Sequence, residues 1–191
     1  MKSIKFFLCA SAALSMYGCA NIQAPAPQAS AGNVSAAKQL GAPVKVGAFK
    51  LADGVNPDAD KSVSLRGANT LNAPSGKGFS GYLRDVLMTE LTAAGKLDEA
   101  SGITITGELT KTELEAGMST GAGTLGARFK VTRADGVCFD KELVVSATWE
   151  SSVMAAVAVP TAFNHYTALY PELAGKLLKD GDFRQRCVAQ R

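Results

Sequence analysis

The sequence predicts an α+β fold: an open-faced sandwich in which a mostly antiparallel sheet of four to five strands carries two helices on one face. Three observations lead there. Apolar residues recur at helical spacing between positions 79 and 94. Three consecutive segments between 103 and 149 alternate apolar with polar residues, and Asp135-Gly136 separates two of them as a hairpin turn. A second helical stripe runs from 162 to 177. Strands with one apolar face need a cover, and two amphipathic helices supply it.

The elements follow in chain order. Val44-Lys45-Val46-Gly47-Ala48-Phe49 alternates as a strand. Asp53 to Lys61 (DGVNPDADK) reads as a loop. Its carboxylates loosely follow a calcium loop, but Pro57 interrupts the pattern and the distal glutamate is missing, which leaves solvated turn residues. Ser62 to Ala68 forms a short second strand, and the NAPSGKG stretch is loop again.

Phe79, Leu83, Val86, Leu87, Leu91 and Ala94 fall on one face of the first helix, which Gly95 ends as a left-handed cap. Ile103, Ile105 and Leu109 then alternate with Thr104, Thr106, Glu108 and Thr110, a strand with one wet face. Leu125, Ala127, Phe129 and Val131 alternate with Arg128, Lys130 and Thr132. The return strand places Phe139, Leu143, Val145 and Trp149 on one side and Asp140, Glu142, Ser146 and Thr148 on the other. Ala162, Phe163, Tyr166, Leu169, Leu173 and Leu177 make the last helix; Pro160 suits its first turn, Pro171 should kink or split it, and Gly181 should end it. The order is β-α-β-β-β-α in one domain, residues 44–191.

The amino terminus has a different grammar. Lys2 and Lys5 form a positive start, Phe6 to Leu14 is an apolar run too short to span a bilayer, and small residues follow to Cys19. Residues 1–18 therefore read as a secretory signal peptide. The Gly18-Cys19 junction resembles the lipobox of bacterial lipoproteins, in which the cysteine is acylated and the chain is cut just before it. Met16 and Tyr17 depart from that pattern, and cleavage after Ala20 by an ordinary signal peptidase is the rival reading. The resemblance implies acyl chains on Cys19. Ala20 stands where an aspartate would signal inner-membrane retention, so it also implies an outer-membrane address. Residues 19–43, rich in Ala, Pro, Gln, Ser and Gly, then read as a flexible lipid-anchored tether with a coil span of about 25–30 Å.

An exported chain meets an oxidising compartment. Cys9 leaves with the signal peptide and Cys19 would carry lipid, which leaves Cys138 and Cys187 as a candidate disulfide or as two independent thiols. Charge is nearly balanced. Loss of Lys2 and Lys5 from the 20 basic side chains leaves 18 against 17 acidic ones, with no electrostatic footprint for nucleic acid.

Several motifs carry chemistry elsewhere but lack its context here. Gly121, Gly123 and Gly126 fit GxGxxG, yet the phosphate-binding form needs a helix after it and the following residues read as strand; a hairpin loop or a bulged strand entry fits better. His165, the only histidine, reads as a part-exposed helix residue near Tyr166 rather than as part of a triad or a zinc site. Glu113 and Glu115 read as solvated. The Ala155–Val159 run (AAVAV) could line an acyl-chain pocket but reads as packing at the sheet's end. No metal or cofactor is expected. The wet sheet face, with Arg128, Lys130, Asp140 and Glu142, is the candidate partner surface.

A cysteine at a lipobox-like junction, a small-residue tether and the order β-α-β-β-β-α together resemble the small bacterial outer-membrane lipoproteins of the LptE/YajG-like type. The resemblance covers residues 44–180 and is architectural. It implies a non-catalytic, periplasm-facing accessory module held to the membrane by its acyl chains and binding an envelope protein or glycolipid. The alternative is a lipid carrier or transport auxiliary, which requires a pocket between helices and sheet.

Overall fold

The structure is a computed structural model and describes residues 21–66, 69–74 and 76–189. The expected signal peptide, residues 1–18, and Cys19 lie outside the described residues. In chain order the elements are β1 (Asn21–Gln23), α1 (Ala31–Lys38), β2 (Lys45–Leu51), α2 (Asp58–Lys61), β3 (Ser62–Leu65), β4 (Asn69–Asn72), α3 (Gly78–Ala93), β5 (Thr104–Ala116), β6 (Thr120–Arg133), β7 (Gly136–Glu150) and α4 (Ala155–Lys179). A turn of π-helix, Phe183–Cys187, closes the chain.

The main sheet has the order β2-β5-β6-β7, with β2 parallel to β5 and the other pairs antiparallel. One face of it is dry. Ile105, Leu109, Leu125, Ala127, Phe129 and Val131 are all fully buried there. Helices α3 and α4 cover that face through Phe79, Leu83, Leu87, Tyr166, Tyr170 and Leu173. This is the predicted open-faced α+β sandwich, and the predicted order corresponds to β2-α3-β5-β6-β7-α4.

Two additions were not predicted. The first is a small second sheet, β1-β4-β3, in which β1 runs parallel to β4 (Asn21 opposite Thr70) and β3 antiparallel to it (Leu65 opposite Asn69). The second corrects the expected tether. Residues 19–43 are not a free coil throughout, because α1 packs against α3 and α4 with Ala36, Ala37 and Leu40 buried. The domain boundary therefore moves from Val44 back to Asn21. Composition misled because alanine buries cheaply where a neighbour supplies the rest of the interface.

A buried carboxylate explains how so weakly amphipathic a helix is held. Glu90 of α3, with no exposed surface, accepts the Ser30 backbone N–H at 3.1 and 3.0 Å and an Asn33 side-chain N–H at 3.0 Å. Ser30 Oγ in turn accepts the Asn33 backbone N–H at 3.3 Å. This is a capping box whose glutamate comes from another helix. Asn33 also donates to the Pro171 carbonyl at 2.7 Å, and a Cβ at Gly175 would collide with the Asn33 amide, so glycine is what lets α1 reach α4.

Other local readings shift too. The expected Asp53–Lys61 loop contains α2, and Asp60 is not merely solvated: its carboxylate accepts Ser80 N–H at 2.7 Å and Ser80 O–H at 3.1 Å, capping α3. Gly95 ends the α3 helix at φ +67°, as expected. Helix α4 runs unbroken through Pro160 and Pro171 and absorbs the Ala155–Val159 run in its first turns. It stops at Asp180, one residue before the expected Gly181, and Asp180 Oδ1 then accepts Asp182 N–H at 2.8 Å and Phe183 N–H at 3.2 Å. The turn that follows buries Phe183 and Cys187, and Cys187 is bonded to Cys138 of β7.

Candidate functional site

On the wet face of the main sheet, side chains of alternating charge line up across all four strands. Lys50 of β2 stands opposite Glu108 of β5, Glu108 opposite Arg128 of β6, and Arg128 opposite Glu142 of β7. One pleat further along, Lys130 stands opposite Asp140. The period-2 alternation of each strand puts these residues on one face, and the register aligns them in rows. The structure thus brings together all four predicted surface residues, Arg128, Lys130, Asp140 and Glu142.

Their bonding is specific. Arg128 grips Asp140 diagonally with two bonds, Nε to Oδ1 at 2.6 Å and Nη2 to Oδ2 at 3.0 Å. That fork holds the Asp140 carboxyl below the ordinary carboxylate value and raises the guanidinium's own. Lys50 pairs with Glu108 at 3.1 Å, which holds the ammonium on up to higher pH. Thr110 donates to Glu142 at 2.8 Å. Beside these pairs lies an open concavity of about 400 Å³ lined by Ala48, Thr106, Gly107 and Lys130 among others. Lys50, Glu108 and Thr110 were missed as surface partners. Glu108 and Thr110 were legible on the wet side of their strand; Lys50 was not, because the strand was expected to stop at Phe49.

The surface presents fixed, paired charges of both signs. Its charges are mutually neutralised and exposed, which suits recognition of a polar surface of mixed sign rather than a polyanion. No three His, Cys, Asp or Glu side chains among the described residues are grouped to hold a metal ion.

The remaining motif residues find structural explanations. The glycines of GxGxxG lie inside β6: a Cβ at Gly121 would collide with the Trp149 indole, and one at Gly123 would press on Leu169. Trp149 stacks on His165 with ring centroids 4.6 Å apart and planes within 8°, which gives the lone histidine a packing role. Between helices and sheet the space is filled by an aromatic cluster. Tyr82 and Tyr170 meet edge to face at 4.9 Å, Tyr166 bonds the Tyr170 hydroxyl at 3.0 Å, and burial pushes the Tyr170 phenol well above its ordinary value.

No family model and no curated protein matches the sequence. Among solved structures the chain is similar to protein XCC0632 from Xanthomonas campestris, of the DUF330 family, with TM-score 0.56 and 18% identity over 84% of this chain and 95% of that one. A minor lipoprotein from Acinetobacter baumannii aligns with TM-score 0.46 and 14% identity over 77% of this chain and 96% of that one. The first likeness is one of fold.

Proposed function

We propose that the protein is a non-catalytic lipoprotein of the bacterial envelope. It is anchored through acylated Cys19 in the outer membrane, faces the periplasm, and binds an envelope protein or glycolipid on the wet face of its main sheet. The observation that carries the binding role is the row Lys50–Glu108–Arg128–Glu142, a sign-alternating surface continuous over four strands. Export is supported by the signal-like start and by the Cys138–Cys187 disulfide, a bond that persists in oxidising compartments. A carrier role draws no support from the packed interior.

In-cell photo-crosslinking tests the reading. A photoreactive residue at Lys130 should capture a discrete envelope component, and one at Glu172, exposed on α4 over the opposite face of the sheet, should not. Equal or absent capture at both positions refutes the assigned face. Intact-mass analysis of the mature chain tests the anchor, for which a chain starting at Cys19 with added acyl mass is expected; an unacylated chain starting at Asn21 ends the membrane assignment.

A further inference from the structure

We infer that one end of the domain is a membrane-contacting tip: the apolar cluster Met118, Val153, Met154 and Val157 rests in the bilayer surface beside the acylated cysteine. This deepens the lipid-anchored reading above and rests on it. Six large apolar side chains are exposed among the described residues, and these four share one end of the molecule at 78%, 73%, 63% and 51% exposure. Met118 lies in the β5–β6 turn, and Val153, Met154 and Val157 lie where β7 passes into α4. The two segments are joined at their base, with Ser151 N–H donating to the Ser119 carbonyl at 2.9 Å. An apolar cluster of this kind marks an interaction site.

Where the chain enters the domain identifies the occupant. Arg66, at the turn after β3, donates through Nε to the Ala116 carbonyl at 3.0 Å, through Nη1 to Val153 at 3.3 Å, and through Nη2 to Gly117. It thereby ties the tip to the β3–β4 end of the small sheet. Leu65 beside it pairs with Asn69, and Thr70 pairs with Asn21, the first residue of β1. From the tip's anchor to Asn21 is therefore two strand spacings, about 10 Å, plus the reach of one arginine. Cys19 is two residues before Asn21 and so within about 7 Å of it. Acyl chains on that cysteine must enter lipid at this end of the domain. The tip's neighbouring charges are Glu115, Glu150 and the carbonyl-bound Arg66, so contact is made by apolar insertion and not by attraction to anionic headgroups.

The test uses the mature acylated protein in vesicles. With Cys19 acylated and Cys138 bonded to Cys187, a single introduced cysteine is the sole free thiol. An environment-sensitive fluorophore is attached in M118C, in M154C and, as a control on the charged face, in K130C. In phosphatidylcholine vesicles the probes at 118 and 154 should shift to the blue and lose most of their intensity to lipid-borne bromine, whereas the probe at 130 does neither. The same result is expected with added phosphatidylglycerol. Probes at 118 and 154 that remain water-exposed on a chain shown by mass to be acylated overturn the tip while leaving the anchor standing. A blue shift without lipid quenching assigns the cluster to a protein partner or a second copy and also overturns it, as does quenching that appears only with anionic lipid. An unacylated chain removes the anchor and the tip together.

Discussion

Replacing Glu90 by alanine strips the buried clamp that holds residues 30–40 against the domain, and its cost can be worked from the bonds lost. Two donors lose an acceptor, the Ser30 backbone N–H and the Asn33 amide, and Asn33 keeps its bond to Pro171. A stranded buried donor costs about 1–3 kcal/mol, and bonds to a charged acceptor lie at the upper end. Removal of the carboxylate also relieves the cost of burying it, which offsets part of the loss. The expected net destabilisation is about 2–4 kcal/mol for Glu90→Ala. Glu90→Gln keeps the volume and one acceptor oxygen and should cost about half as much. Urea denaturation followed by Trp149 fluorescence gives the global value. Hydrogen exchange supplies the local signature: backbone amides of residues 34–40 should lose protection in Glu90→Ala before those of β6 do. A variant within about 0.5 kcal/mol of wild type, with the amides of α1 still protected, refutes the clamp.

Further expectations follow from the same geometry. Cys138→Ala with Cys187→Ala opens a loop with a sequence separation of 49 and should lower stability by about 4 kcal/mol in the chain-entropy model, read from denaturation midpoints at constant slope. Gly175→Ala sets a methyl against the Asn33 amide and should cost about 1–3 kcal/mol, with the loss suppressed when Asn33 is also replaced by alanine. The Asp140 carboxyl, held down by Arg128, should titrate by NMR below the ordinary carboxylate value and return towards it in Arg128→Ala. Because its folded value is depressed, the pair's contribution is complete above the unfolded carboxylate pKa. It fades as pH falls through the lower folded one.

The main sheet and its two helices were legible because their apolar periodicity is sustained, at 79–94 in α3 and at 103–110, 125–132 and 137–149 in β5, β6 and β7, whereas the glycine-rich start of β6, residues 120–124, was not. Helix α1 was not legible, since its sequence, AGNVSAAK, carries no apolar stripe and its stability comes from Glu90, 57 residues beyond Asn33. The small sheet was hidden for a related reason: the strand expected from Ser62 matches β3, but β1 and β4, of three and four residues, leave too short a pattern to read. Pro171 misled in the opposite direction. A proline forfeits one helical bond, but α4 is packed along its length and continues through it. At the candidate surface the charges themselves were legible from strand alternation. Their alignment into rows was not, because register between strands is a tertiary fact.

The ordered linker changes what an anchor would do. A coil of 25 residues would let the domain roam and tumble above the bilayer, and the position of its charged face would then mean little. With β1 paired to β4 and α1 clamped by Glu90, the described chain from Asn21 onward is part of the domain, so an anchor just before it would impose orientation as well as proximity. Strand β6 leads away from the tip, and Arg128 lies eight residues beyond Thr120, which at about 3.3 Å per residue puts the charged row about 25 Å along the strand. With the tip seated in the membrane, that surface would stand at a fixed height, up to about 25 Å from it when the strands are upright. Because β1 precedes α1 and its pairing with β4 does not pass through Glu90, a Glu90→Ala chain should keep the crosslink from position 130, whereas a chain whose β1–β4 pairing is broken should spread it over many neighbours.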